Sequence, residues 1–256
     1  MVQETFRRYE KKYLLTAKQY RSLMLILNGV MEMDGYGKHA ISNIYFDTPD
    51  FLLVRTSMEK PVYKEKVRLR SYGTDISDNS LAFVEIKKKS ESVVYKRRMA
   101  MPLETARKYL YYGIEPGEKG QVYQEVDYMI RRYGLKPMVY ISYERTAYIC
   151  QMDGQLRVTF DSNVLGRTGE LDLCRGPYGE GLLPPETILM EMKLANAMPL
   201  WLSQVLADLG IFPVSYSKYG TFYSRFVHPA LVAGNLEMNM APGIPLVGIK
   251  GGVICA

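Results

Sequence analysis

Charged residues recur at alternate positions in the segment FVEIKKKSESVVYKRRMAM, residues 83–101. Its first half places Glu85, Lys87 and Lys89 two residues apart, and its second half places Lys96 and Arg98 in the same way. Because residues two apart share a face of a β-strand, each half predicts a strand with one charged face. A single strand of this kind is typical of a solvated sheet face, so a functional interpretation requires the pattern to recur.

The pattern recurs on most of the other predicted strands. Glu-x-Lys is repeated three times, and basic residues predominate where a merely solvated face would mix in more neutral polar ones. The charged or polar positions with this spacing are Glu10 and Lys12; Lys66, Arg68 and Arg70; Glu85 and Lys87; Arg145; Arg157, Thr159 and Asp161; and Glu191 and Lys193.

Basic side chains crowded on one concave surface repel one another and therefore imply an anionic partner. Arginine binds two phosphate oxygens with its planar fork and lysine supplies a point charge, so the array suits a chain of phosphates. Carboxylates among the cations are candidate oxygen ligands for a divalent metal ion. For Glu10 and Glu85, ion pairs that space the cations are as consistent with the sequence as metal ligation. Lys193 is also consistent with an ion pair instead of substrate binding, and Asp161 with the start of a turn.

The elements that must position these residues are mostly strands. Helices are predicted at 16–29, after the Thr16 cap, at 103–112, at 121–133 and after Pro199, and alternating or β-branched segments fill most of the remainder. The predicted fold is α+β, an antiparallel β-barrel tunnel with peripheral helices. It would occupy residues 1–228, followed by a Gly- and Pro-rich tail at 229–256.

Composition limits the classes of function. The 256 residues are 47% hydrophobic and carry a net charge of +6, which suits one globular domain with an anionic partner. No apolar segment approaches the length of a membrane span, and three widely spaced cysteines indicate no disulfide framework, so a cytoplasmic protein is expected. The 21 tyrosines occupy strand positions that packing explains, and no nucleic-acid partner is predicted. Walker, GxGxxG, HExxH and nucleophile-elbow motifs are absent from the sequence.

Nine motifs between Phe6 and Phe226 resemble, in order, those of a known family. They are YEKKYLL, SNIYFDT, VRLRSYG, FVEIKKK, YKRRM, YERTAY, LRVTFDSNV, LMEMKL and SKYGTF. The family is the VTC (vacuolar transporter chaperone) domain, the polyphosphate polymerase branch of the triphosphate tunnel metalloenzymes, or CYTH-like superfamily. The resemblance implies a basic β-tunnel that holds ATP and inorganic polyphosphate with a divalent metal ion, Mn²⁺ or Mg²⁺.

The resemblance also implies roles for individual residues. Lys218, Arg68 and Arg70 would be catalytic, and Glu191 would be the metal ligand, with Glu10 and Glu85 as further candidates. The implied phosphate ligands are Lys12, Arg68, Arg70, Lys87, Lys96, Arg145, Arg157 and Lys218.

The function implied is transfer of the γ-phosphate of ATP to a growing polyphosphate chain. A metal-dependent triphosphatase or polyphosphatase that uses the same tunnel, and a non-catalytic polyphosphate-binding module, remain open alternatives. Arg8 stands where hydrolytic CYTH relatives carry the first glutamate of Glu-x-Glu-x-Lys, a departure that favours the polymerase branch. No direct membrane insertion is expected, so any coupling to translocation would require other subunits.

Overall fold

A computed structural model describes residues 9–91, 93–151, 154, 156–195 and 197–234. The strands are β1 Tyr9–Thr16, β2 Met31–Met33, β3 His39–Asp47, β4 Tyr63–Tyr72, β5 Leu81–Ser90, β6 Val93–Pro102, β7 Lys136–Cys150, β8 Arg157–Arg167, β9 Glu180–Gly181, β10 Thr187–Leu194 and β11 Pro213–Val214. The α-helices are α1 Ala17–Leu27, α2 Leu52–Met58, α3 Leu103–Tyr112, α4 Gln121–Tyr133, α5 Leu200–Asp208, α6 Lys218–Phe222 and α7 His228–Val232. A 3₁₀ turn spans Leu173–Arg175, and a π-helical turn spans Tyr223–Val227.

The predicted helices form, and capping residues mark several of their ends. Thr16 and Gln19 make a reciprocal capping box at the start of α1, which satisfies two backbone N–H groups that would otherwise be unpaired. Helices α3 and α4 end at Gly113 and Gly134, both in the left-handed conformation that glycine adopts without strain. Helix α7 extends to Val232, so the first residues assigned to the tail are helical. The tail from residue 235 onward lies outside the described residues.

One antiparallel sheet joins the described strands in the order β11-β1-β10-β8-β7-β3-β4-β5-β6, with β2 paired to β7 and β9 to β8. The predicted α+β class and antiparallel tunnel fold are confirmed, although strand pairing does not close the sheet. One end of the path is the two-residue β11, where Pro213 has no N–H to donate. The other end is β6, whose consecutive cations Lys96, Arg97 and Arg98 oppose pairing with a further strand.

The sheet curls around a lumen. Lys12 of β1 and Lys66 of β4 are five strand steps apart along the sheet, which would separate them by about 24 Å if it were flat. The two charges nevertheless interact closely enough that Lys12 contributes to a lowered pKa of Lys66, after the larger effects of burial and of nearer lysines. The face that carries both lysines is therefore the concave one.

Apolar residues cover both surfaces of the curled sheet. On the convex side, α3 and α4 pack on β4 and β5, and α1 and α5 pack on β1, β8 and β10. On the concave side, Tyr219 and Phe222 of α6 and Val54 of α2 pack on the inner face of β3 and β7. This inner layer places the start of α6 inside the lumen. None of the helices in the described ranges is long and apolar enough to cross a membrane.

Candidate functional site

The structure brings the predicted site residues to the concave face. Alternation on each strand sends their apolar neighbours outward: Val67 and Leu69 flank Arg68, and Met190 and Met192 flank Glu191, all fully or nearly fully buried in the outer cores. The predicted residues come from seven strands and one helix: Glu10 and Lys12 on β1, Arg68 and Arg70 on β4, Glu85 and Lys87 on β5, Lys96 on β6, Arg145 on β7, Arg157 on β8, Glu191 on β10 and Lys218 on α6.

Three cations surround Glu85, and we call Glu85, Arg68, Arg70 and Lys96 the Glu85 cluster. The Glu85 carboxylate accepts from Arg68 Nε at 2.6 Å, and it lies 2.9 Å from Lys96 Nζ and 3.8 Å from Arg70 Nε. Burial by itself raises the pKa of Glu85, which is 1% exposed, but the charges of Arg68, Arg70 and Lys96 outweigh it and lower the pKa to about 2. Glu85 is therefore ionised and holds three cations together.

Uncharged side chains fix the two arginines of this cluster. Arg70 donates to Asn43 Oδ1 at 2.8 Å and to the Tyr143 hydroxyl at 3.2 Å, and Arg68 donates to the Tyr45 hydroxyl at 3.3 Å. Tyr45 is buried, which raises its pKa, yet the charges of Arg68, Arg70 and Lys66 prevail and lower that pKa to about 8. These partners, Asn43, Tyr45 and Tyr143, are additions to the predicted site residues. Their only sequence signal is an inward position on β3 or β7, next to the cation-bearing strands.

A second cluster joins Glu191, Asp161, Lys12, Arg145 and Lys218, and we call it the Glu191 cluster. Arg145 grips Asp161 with two hydrogen bonds of 2.6 and 2.7 Å and lies 3.3 Å from Glu191 Oε2. Lys218 Nζ donates to Asp161 Oδ2 at 2.5 Å and to Glu191 Oε1 at 3.2 Å. Lys12 Nζ completes the cluster at 3.4 Å from Glu191 Oε1. Two carboxylates thus hold three cations in a largely buried network.

The Glu191 cluster is charged throughout. Burial raises the pKa of Glu191, but Lys218, Lys12 and Arg145 together hold it well below its usual range. Burial alone would lower the pKa of Lys218, but the negative charges of Asp161 and Glu191 outweigh burial, and the pKa is raised above its ordinary value. Interpreting Asp161 as the start of a turn is wrong, because it lies within β8 and is fully buried. Lys218 starts α6, where Ser217 accepts from the backbone N–H of Gly220 and so fixes the direction of the first turn.

A row of lysines crosses β4, β5 and β6 beside the Glu85 cluster. Lys66 is the cross-strand partner of Lys87, and Lys87 is the partner of Lys96; one step farther along, Lys64 faces Lys89. Like charges directly opposite one another destabilise a sheet. No carboxylate lies within 4 Å of Lys66 or Lys87 among the residues that the structure describes. Burial first, and then Lys64, Lys87 and Lys12, lower the pKa of Lys66 to about 8. Uncompensated charge in this row is the clearest sign of an anionic ligand.

Two of the predicted residues, Arg157 and Glu10, lie at the periphery of the concave face. Arg157 is paired with Asp34 at 2.7 Å, and its side chain is 42% exposed. Glu10 lies 3.4 Å from Lys12 Nζ. Lys88 and Arg97, which point to the convex side, both pair with Glu125 of α4. Their position agrees with the alternation that separates inward from outward side chains on β5 and β6.

Carboxylates at the site are the candidate ligands for a divalent metal ion. Within the described ranges, no three His, Cys, Asp or Glu side chains gather as they would around a metal ion. Glu10 and Glu191 flank the same ammonium, Lys12 Nζ, each at 3.4 Å. Mg²⁺ and similar ions are often bound by one or two carboxylates, with phosphate oxygens and water as the other ligands. This pair fits such a shared site and does not form a cage made of protein ligands alone.

Two solved structures have a similar fold. A putative adenylate cyclase from Bacillus halodurans superimposes with a TM-score of 0.51 at 15% identity, covering 85% of this chain and 95% of that one. A putative adenylyl cyclase from Hippeastrum, described as having a dominant triphosphatase activity, gives 0.52 at 18% identity and covers 84% and 94%. At these identities the likeness shows a shared fold, a curled antiparallel sheet.

The family is defined more narrowly by sequence. Residues 7–227 match the VTC domain, and the chain belongs to this family. Vacuolar transporter chaperone complex subunit 4 of Schizosaccharomyces pombe is 29% identical over 147 residues, which are 49% of this chain and 20% of that protein. The match thus spans about a fifth of the relative's length.

Proposed function

We propose that this protein is a polyphosphate polymerase that elongates an inorganic polyphosphate chain with the γ-phosphate of ATP inside the curled sheet. The observation that carries the proposal is the arrangement of charge on the concave face. Two carboxylate-centred clusters hold arginines in fixed positions, and the adjoining lysine row has cations in excess of carboxylates. A polyphosphate chain supplies the negative charge that this row lacks, at regular intervals along its length.

The proposed reaction needs no covalent enzyme intermediate. A terminal oxygen of the polyphosphate chain attacks the γ-phosphorus of ATP in line, a new P–O bond forms, and the bond between the γ-phosphorus and the β,γ-bridging oxygen breaks. ADP leaves with the electrons of that bond, and the chain is one phosphate longer. Arg68, Arg70 and Lys218 would neutralise the charge that is spread over the transferred group. Rigid strands and a buried ion-pair network hold these cations in position before substrate binds.

The carboxylates have two proposed tasks. Glu85 would space Arg68, Arg70 and Lys96, because within the described ranges these cations pair with no second carboxylate that could share a metal ion with it. Glu191 and Glu10 would hold a divalent ion that arrives with the phosphates, and this ion would offset the negative charge of the triphosphate. Lys12, whose Nζ lies 3.4 Å from each of these two carboxylates, would be a phosphate ligand beside this ion.

Product analysis tests the proposal. The purified protein is incubated with ATP and Mn²⁺, and the products are separated by gel electrophoresis and assayed for orthophosphate. Long polyphosphate with an equivalent amount of ADP supports the polymerase. Orthophosphate without chains would identify a hydrolase, and unchanged ATP together with bound polyphosphate would identify a non-catalytic binder. Either of those two results contradicts the proposed function.

A further inference from the structure

The two ends of the concave face differ in chemistry. Along β4 the inward residues are Lys64, Lys66, Arg68, Arg70 and Tyr72, so the strand passes from lysine through arginine to tyrosine. On β5, paired antiparallel with it, the inward residues run in the same spatial order from Lys89 and Lys87 through Glu85 to Phe83. Tyr72 lies eight residues from Lys64, or about 26 Å along the strand. One end is therefore cationic and the other aromatic.

Four aromatic side chains form a connected set at the second end, and we call Tyr36, His39, Tyr72 and Phe83 the aromatic mouth. Ring centroids are 6.2 Å apart for Tyr36 and His39, 6.0 Å for His39 and Tyr72, and 5.7 Å for Tyr72 and Phe83. Tyr36 is 80% exposed and Tyr72 is 40% exposed. Packing in a core explains buried aromatic rings, but it does not explain why two rings of this connected set, Tyr36 and Tyr72, are open to solvent.

Cations border the aromatic mouth on its inner side. The Arg70 guanidinium lies 5.8 Å from the Tyr72 ring centroid, and its Nη1 is 3.5 Å from the Tyr72 hydroxyl. The Arg98 guanidinium lies 4.6 Å from the Phe83 ring centroid, and no carboxylate lies within 4 Å of it in the described part of the chain. Aromatic faces beside phosphate-binding arginines match the two halves of a nucleotide, because a base stacks on rings and its phosphates bind the guanidinium groups.

We propose that the aromatic mouth binds the nucleobase of the nucleoside triphosphate donor, with the base stacked on Tyr72 and the phosphates directed along β4 toward Arg70 and Arg68. This inference rests on the proposed function, since it assumes that the donor is a nucleotide. It also assigns a direction to the lumen: the donor enters at the aromatic mouth, and the polyphosphate chain extends across the lysine row. Stacking tolerates different bases, so ATP and GTP would bind with similar affinity.

Two probes separate base binding from phosphate binding. The dissociation constants of ATP and of inorganic tripolyphosphate are measured by calorimetry without metal for the wild type, Tyr72→Leu and Tyr72→Phe. Loss of one stacking ring weakens ATP binding on the order of tenfold. Tripolyphosphate affinity stays at its wild-type value in Tyr72→Leu, because the probe has no base, and Tyr72→Phe keeps both affinities near wild type. Tyr112→Leu removes an exposed tyrosine from α3, 58% exposed against 40% for Tyr72, and serves as the control that changes neither affinity.

Two outcomes would contradict the proposal that the aromatic mouth binds the nucleobase. Equal losses for ATP and tripolyphosphate in Tyr72→Leu would show that the substitution disturbs the arginines, and unchanged ATP affinity would place the base elsewhere. The ratio of the two affinities decides this inference without any turnover. A wild-type protein that binds both probes yet makes no polyphosphate contradicts the proposed function alone, so the two failures are distinguishable.

Discussion

Replacing Glu85 with glutamine removes the carboxylate that, among the residues the structure describes, holds Arg68, Arg70 and Lys96 together. The amide has nearly the same shape, so packing is preserved and the change is mainly in charge. The three cations lose their common counter-charge in a site where Glu85 is 1% exposed. We expect a less stable protein that binds phosphate chains more tightly, because the ligand then supplies the missing negative charge.

The pKa of Glu85 gives the size of the effect. A carboxyl whose pKa falls from 4.5 to about 2 on folding stabilises the folded state by about 3 kcal/mol at neutral pH, at 1.36 kcal/mol for each pKa unit. Because the folded pKa is the lower one, this stabilisation is fully present above pH 4.5 and is lost as the pH falls through about 2. Glu85→Gln should therefore remove about 3 kcal/mol at neutral pH. It should also flatten the decline of stability in that acid range.

Urea unfolding at neutral pH and at several acid pH values measures both effects, with and without tripolyphosphate. Glu125→Gln is the matched control, because Glu125 pairs with Lys88 and Arg97 on the convex side and its side chain is 21% exposed. The control should lose less than about 1 kcal/mol and keep the wild-type tripolyphosphate affinity. A Glu85→Gln variant as stable as wild type at neutral pH, or one with weaker phosphate binding, would refute the role assigned to Glu85.

Three further predictions concern the metal pair, the lysine row and the inner helix. Glu191→Gln should abolish Mn²⁺-dependent turnover and tighten metal-free tripolyphosphate binding; an unchanged Mn²⁺ requirement at near-normal rate would remove Glu191 from the metal site. Lys66, with its pKa lowered to about 8, loses its charge above that pH, so tripolyphosphate affinity should fall as pH rises and Lys66→Arg should weaken the dependence. Tyr45 also has a pKa of about 8, so Tyr45→Phe serves as the control that removes its titration. Identical pH profiles of tripolyphosphate affinity for Lys66→Arg and wild type would contradict the assignment of the pH dependence to Lys66. Gly166→Ala would place Cβ 2.4 Å from the Phe222 ring, so about 1–3 kcal/mol of stability should be lost in chemical denaturation, whereas Gly169→Ala, with open space, should be neutral.

Strand periodicity was enough to predict which side chains face the lumen. Arg68 and Glu191 point inward because both of their neighbours are apolar, and Arg70 and Lys87 each follow one apolar residue, Leu69 or Ile86; this alternation depends only on local sequence. The helices of residues 103–134 were predictable for a similar reason, since an apolar stripe and a terminal glycine mark each one.

Contacts across the lumen were not predictable from the same information. Lys218 meets Asp161 and Glu191 only because α6 enters the concave side, and nothing local to SKYGTF specifies that position. The pairing of Arg157 with Asp34 likewise joins residues 123 apart in sequence. Periodicity places a residue on a face, but only the sheet order and the docking of helices decide which charges on that face become partners.

Transfer of labelled phosphate to a defined primer distinguishes chain elongation from hydrolysis in a single experiment. The protein is given a short polyphosphate, Mg²⁺ and ATP labelled at the γ-phosphate, and chain length, labelled orthophosphate and ADP are measured together. We predict label in chains longer than the primer, one ADP for each phosphate added, and no transfer by a folded Arg68→Ala, Arg70→Ala double variant. Label found only in orthophosphate, with a primer that stays the same length or shortens, would contradict the account.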